Sequence, residues 1–232
     1  MNIVNACLLS LFSLAVPLSH AALTPIGPLD FDPNATIIEF GGLSDGTDAN
    51  GLLVDGVLFE VTTGGATTNG KVVVDGGPGT TNNITPPNLV SLGDISDVAV
   101  VVSLPGLTTQ FGYGYAILAT QPVASATTIE LFAGQTAIGQ IAFEGKPDPT
   151  FTGGFAGLSS NMPFDRAVLT FSNFGEAFAI DNVTFATANN ALPEEGLALT
   201  LLSLALLPLL CCRSVVQTVG CRYLDCELEA LR

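Results

Sequence analysis

The sequence predicts an all-β protein, an antiparallel two-sheet β-sandwich, on three observations. Short runs rich in Val, Ile, Phe and Thr recur through residues 22–192, each bounded by Gly, Pro, Asn or Asp. No window of a dozen residues in that stretch carries an apolar stripe at helical spacing, and glycine interrupts every run that comes near one. Apolar and polar residues alternate instead, most cleanly at Ile129 and Leu131 against Thr128 and Glu130, and at Ala167, Leu169 and Phe171 against Val168 and Thr170. Alternation of this kind belongs to sheets with one buried face and one wet face.

In chain order the expected strands are 36–40, 57–62, 71–74, 98–104, 110–118, 128–132, 137–143, 167–171 and 178–185. The run from Gly76 to Asn83 reads as a loop, because its Gly, Pro, Thr and Asn residues favour turns and forfeit core packing. Pro86-Pro87 forces extended backbone after it. Eight to ten strands joined by such loops, with no change of composition between them, predict a single jelly-roll-like domain over residues 22–188.

The two ends differ in kind from the middle. The chain has 232 residues, 48% hydrophobic and 12% charged, a formal net charge of −15 and a mean hydropathy of +0.53. Residues 1–21 read as a signal peptide: an uncharged apolar run, the helix-breaking Pro17, and Ser19-His20-Ala21 ahead of a cleavage point after Ala21. Residues 196–212 are uncharged and long enough to cross a bilayer as a helix. Glu194 and Glu195 precede this transmembrane segment and Arg213 follows it, which places the tail, residues 213–232, in the cytoplasm. Between the domain and the helix lies a linker, 189–195, containing Pro193, Glu194 and Glu195.

The functions that remain are bounded by absences. Residues 22–192 contain no His, Cys or Trp. That removes Ser-His-Asp and Cys-His catalysis, and any zinc or copper site with His or Cys ligands, from the domain. Three basic residues against sixteen acidic ones over the same stretch make it no partner for nucleic acid. Carboxylates, amides and hydroxyls are left, together with hard cations. A pair of the sixteen acids working as glycosidase acid and base is the enzymatic alternative, and no spacing singles such a pair out. The expected protein is not an enzyme.

Two features of the domain stand out. Asp181 lies in the apolar strand Phe178-Ala-Ile-Asp-Asn-Val, so the strand either packs on both faces or bulges near Asp181-Asn182. A buried carboxylate needs partners, and these are backbone N–H groups or a cation. The second feature is Phe111-Gly112-Tyr113-Gly114-Tyr115. Tyr113 and Tyr115 either stack on sugar rings as a carbohydrate site, with the glycines admitting the ligand, or pack with Phe111 in the core.

Pro193-Glu194-Glu195, an apolar helix and a following Arg213 form a tripartite carboxyl-terminal signal. It resembles the PEP-CTERM class of exosortase substrates, with Glu195 standing where that family has its second Pro. Leu192-Pro193-Glu194-Glu195-Gly196 is also similar to the sortase signal, with Glu in place of Thr. The resemblance implies a sorting transpeptidase as partner and the cell surface or matrix as destination. Four stretches liken the domain to galactose-binding-like jelly rolls and carbohydrate-binding modules: 38–46, 86–93, 129–139 and 178–183. That likeness implies a structural Ca²⁺ held by Glu39 and Asp181 with oxygens from Asp45 and Asp48, and a polysaccharide partner.

Overall fold

Two strands far longer than their neighbours organise the molecule. In the computed structural model, which describes residues 20–148 and 150–187, β8 runs over Val98–Ile117 and β11 over Phe151–Phe171. At about 3.3 Å per residue, a straight strand of that length would run well beyond the roughly 40 Å width of a domain this size. Both strands bend. The β8–β11 ladder skips from Ser103–Arg166 to Thr108–Phe164, and its register shifts again between Phe164 and Ser159. Pro105, which has no N–H for the ladder, lies in the gap.

The bend divides the pairing into two layers. In the first, residues 98–103 of β8 pair with β4 (Val57–Thr63) and with the second half of β11. β11 in turn pairs with β9 (Val123–Ala133), and β9 with β10 (Thr136–Asp148). In the second, residues 108–117 of β8 lie between the first half of β11 and β12 (Phe178–Thr187). β12 carries β2 (Thr36–Ile38) and β7 (Asn88–Ser91), and β7 carries β6 (Val72–Asp75). The remaining strands are short: β1 (Leu23–Pro25) on β11, and β3 (Leu52–Val54) and β5 (Ala66–Thr67) on β4. Every pairing between these strands is antiparallel, and the described residues contain no helix.

The layers face each other across one apolar core. Tyr113 of the second layer has its ring centroid 6.4 Å from that of Phe171, in the first-layer half of β11, and its hydroxyl bonds to Thr127 of β9. The rings of Phe171 and Phe178 stack at 3.8 Å. Val100, Val102, Ile129, Leu131, Ala167 and Leu169 fill the core from the first layer; Phe111, Leu158, Ile180, Val183 and Phe185 fill it from the second. With no disulfide in this stretch, burial of this apolar set is the main stabilising force.

The expected strands are present; the short strands β1, β3, β5 and β7 were not expected, and two further differences concern β8 and β11. Residues 98–104 and 110–118 are one bent strand, because Pro105-Gly106 makes a corner where the sequence suggests a turn. The expected strand at 167–171 begins sixteen residues earlier, at Phe151. Its first half is rich in Gly, Ser and Asn and reads as loop, but a Cβ on Gly153 would lie 2.0 Å from the Tyr115 carbonyl oxygen. Glycine there allows two strands to approach closely. β7 follows Pro86-Pro87 and is too short for its alternation to be read from sequence. The expected signal peptide apart from His20 and Ala21, the sorting motif Pro193, Glu194 and Glu195, the helix 196–212 and the tail lie outside the described residues. Ala21 is half-buried, packs on the core, and its N–H donates to the Ile138 carbonyl at 3.1 Å.

Candidate functional site

The outward face of the second layer is paved with small residues. Along β8 the side chains alternate, so Phe111, Tyr113, Tyr115 and Ile117 point into the core, while Gly112, Gly114 and Ala116 point out. The ladder places Phe155 of β11 opposite Gly114, and Asp181 of β12 opposite the same glycine on its other side. The face is not bare. A Cβ on Gly112 would lie 2.9 Å from the Phe155 ring, one on Gly157 2.6 Å from it, and one on Gly114 2.1 Å from the Asn83 carbonyl oxygen. The glycines admit two of the chain's own parts: the Phe155 ring, and a strap formed by residues 80–85.

The strap turns at Asn82-Asn83. Thr81 and Ile84 exchange backbone hydrogen bonds of 2.8 and 3.2 Å, and both Asn residues have positive φ, 49° and 62°. Asn tolerates this left-handed region better than other residues with a Cβ, which is why two can occupy the centre of so tight a turn. At the start of the strap, the Thr81 hydroxyl and the Asn82 N–H donate to Asp148 Oδ2 at 3.2 and 3.3 Å. Beyond the turn, buried Ile84 packs on Ala116 and Ala179, and the Thr85 N–H donates to Asp181 Oδ2 at 2.9 Å. The Asn182 side-chain amide donates to the Asn83 carbonyl at 2.8 Å.

Beside the strap lies an open groove of about 690 Å³. Its opposite wall is the connection between β1 and β2, with Leu29, Phe31 and Asp32. Gln110 of β8 holds that wall, accepting from the Asp32 N–H at 2.8 Å. Phe155, Ile37, Thr184 and Asn182 also line the groove, and Phe31 meets Phe155 edge-on at 5.9 Å and 87°. The charged side chains of the lining are Asp32, Glu39 and Asp148; no Lys, Arg or His is among them.

Asp181 lies beneath the strap. It is 2% exposed, and its Oδ1 has no hydrogen-bond partner. Burial pushes its carboxyl up to about 6; the Thr85 and Asn182 N–H groups pull it down and the Glu39 charge raises it further. Both readings of its strand are realised. β12 is packed on both faces, and its register with β8 shifts between Asp181 and Thr184, where Asn182 has φ 51°.

The structure corrects two expected sites. Tyr113 and Tyr115 are fully buried, so neither offers a ring face to a sugar. Their hydroxyls are satisfied inside, by Thr127 Oγ1 and by the Glu144 carbonyl at 2.8 Å, and burial pushes both phenols well above the usual range. The core packing of Phe111, Tyr113 and Tyr115 is what the fold contains. The four expected calcium ligands do not assemble either. Asp48 spends its carboxylate closing its own loop, accepting from the Asn50 N–H at 3.0 Å and the Gly70 N–H at 2.8 Å. Asp45 is exposed in the neighbouring turn, and among the described residues no three His, Cys, Asp or Glu side chains form a group able to hold a metal ion. Only Glu39 and Asp181 influence each other, and the orphaned Oδ1 is the single feature of that pair that suits a cation.

Sequence reasoning missed Phe31, Asp32, Asp148 and Phe155 as groove residues. They come from three separate connections and strands, and no local pattern joins them. The Asn82-Asn83 pair, two residues that tolerate positive φ, was the one signal available.

No protein-family model matches the chain, and no curated protein matches it. Among solved structures, two single-substitution variants of CBM29-2, a family 29 carbohydrate-binding module, are similar to it at 10% identity each. Their TM-scores are 0.35 and 0.34; the alignments cover 65% and 66% of this chain and 90% and 92% of theirs. The enzymatically active domain of bacteriophage CBA120 tailspike protein 4 is similar at 19% identity and a TM-score of 0.34, covering 58% of this chain and 20% of that one. Likenesses this remote carry no assignment of function.

Proposed function

We propose that this is an exported bacterial surface or extracellular-matrix protein whose jelly-roll-like β-sandwich is a non-catalytic module that binds polysaccharide in the groove beside the strap. The groove carries the reading. It is open, has a volume of about 690 Å³, and combines a half-buried aromatic pair, Phe31 and Phe155, with amides, hydroxyls and carboxylates around them. Sugars are recognised by that mixture: apolar ring faces pack on aromatic side chains, and hydroxyls donate to fixed acceptors. Catalysis is left out because the most perturbed acid, Asp181, is sealed under the strap, where a glycosidic oxygen does not reach it.

Export, anchoring by residues 196–212 and sorting through Pro193-Glu194-Glu195 by an exosortase-like transpeptidase complete the proposal, on the strength of the two apolar termini. Calcium enters it only at Glu39 and Asp181, where it would neutralise a buried carboxylate.

The purified protein should be retarded on native gels cast with soluble polysaccharides, and Phe155→Ala should abolish the retardation while leaving the unfolding transition cooperative. Migration unaffected by every polysaccharide in a broad panel would remove the binding reading. Intact mass of the protein from its host tests export: a chain that keeps residues 1–21 counts against it.

A further inference from the structure

From the charge around the groove, and resting on the polysaccharide reading above, we infer that it selects against anionic glycans and takes chains that are neutral or carry amines. Three carboxylates, Asp32, Glu39 and Asp148, line a single groove whose lining contains no cationic side chain. They come from three separate parts of the fold. Asp32 belongs to the β1–β2 wall, Glu39 to the run-out of β2, and Asp148 clasps the start of the strap. A ligand lying in the groove therefore meets carboxylates contributed by three separate parts of the chain. Asp181 adds a fourth acid below the surface.

The hydrogen-bonding inventory points the same way. Asp32 Oδ1 accepts from both nitrogens of Asn34, and Asp148 Oδ2 is engaged by the strap, so these carboxylates are held in place before any ligand arrives. Several of the side-chain N–H donors that a carboxylated or sulfated sugar would need are spent within the chain, which leaves the Asn83 amide and one N–H each on Asn182 and Gln110. Asn82 Nδ2 donates to Thr81 Oγ1 and the Phe151 carbonyl, Asn182 Nδ2 to the Asn83 carbonyl, and Gln110 Nε2 to the Asp30 carbonyl. The charged groups the groove offers are all acceptors. Sugar hydroxyls and ammonium groups are donors and suit it, whereas a uronate would be desolvated beside three like charges with few donors to receive it.

The test offers the full-length protein matched polymers that differ only in charge. Neutral β-glucan, mannan and dextran are each compared with their carboxymethylated and aminated derivatives, at low ionic strength and in about 0.5 M salt, where exposed charges are screened. The neutral and aminated forms of at least one backbone should bind, with the carboxymethylated form about tenfold weaker or worse, as expected for one added charge facing three at roughly 8 Å. Salt should narrow the gap. In the triple variant Asp32→Asn, Glu39→Gln, Asp148→Asn the ratio of neutral to carboxymethylated affinity should fall towards one; the ratio is the readout, because the same side chains also serve neutral sugars as acceptors.

A carboxymethylated polymer held as tightly as its neutral parent overturns this inference and leaves the polysaccharide reading standing. So does discrimination that survives in the triple variant. Failure of every form of every backbone to bind overturns both.

Discussion

Replacing Asp181 by asparagine should stabilise the protein at neutral pH and flatten its pH dependence. The carboxyl is 2% exposed, one oxygen has no partner, and burial lifts its pKa from 3.8 to about 6. Between those two values the folded chain holds a proton that the unfolded chain has released, so stability falls as pH rises through that window. The loss levels off about one pH unit above the folded value of about 6. At about 1.4 kcal/mol for each tenfold change in proton affinity, the gap amounts to about 3 kcal/mol at pH 7.5, of which about 2 kcal/mol develops between pH 4.5 and 7.5. Asparagine keeps an acceptor for the Thr85 N–H and removes the charge. Urea unfolding in EDTA, followed by circular dichroism at both pH values, measures the difference, and comparison with wild type cancels the titration of every other acid. The variant should be the more stable by about 3 kcal/mol at pH 7.5, with the two proteins converging on acidification. Parallel pH profiles, or a less stable variant at pH 7.5, would refute the claim that an ionised carboxylate is buried there at a cost.

Three further outcomes are expected. Gly114→Ala puts a Cβ 2.1 Å from the Asn83 carbonyl oxygen, so the strap must shift; the variant should lose about 1–3 kcal/mol in denaturant titration and bind polysaccharide more weakly. Tyr113→Phe removes only the bond to Thr127, whose hydroxyl still donates to the Thr170 carbonyl at 2.9 Å. It should cost about 1 kcal/mol and leave retardation on polysaccharide gels unchanged, whereas loss of binding would reinstate that tyrosine at the site. If calcium sits between Glu39 and Asp181, wild type melts higher in millimolar Ca²⁺ than in EDTA and Glu39→Gln does not; identical wild-type curves remove the ion.

Much of the strand content could be read from the sequence because alternation is a local property. Ile129-Glu130-Leu131 and Ala167-Val168-Leu169 reveal a buried face and a wet one without reference to any other part of the chain. The first half of β11 could not be read that way. Gly153, Gly154 and Gly157 resemble loop until the neighbouring strand shows what a Cβ would strike. Alternation also marks which residues share a face of β8, but not which face is inward. Phe111, Tyr113 and Tyr115 were rightly grouped, and the choice between a sugar platform and a core required the opposing layer, where Thr127 and Phe171 meet Tyr113.

The candidate site divides along the same line. Asp181 was visible in sequence because an acid in an apolar strand breaks a local rule, and its bulge followed from the same mismatch. The groove was not, since Phe31, Asp148 and Phe155 are brought together only by the bends in β8 and β11 and by a strap that crosses the sheet. The sequence by itself determined the all-β class, through local alternation, and the acidic character and the absence of histidine and thiol chemistry from the domain, through which residues are present. Tertiary structure alone decided which aromatic rings face solvent and which carboxylates share a groove, because contacts between residues over a hundred positions apart are set by how the layers close.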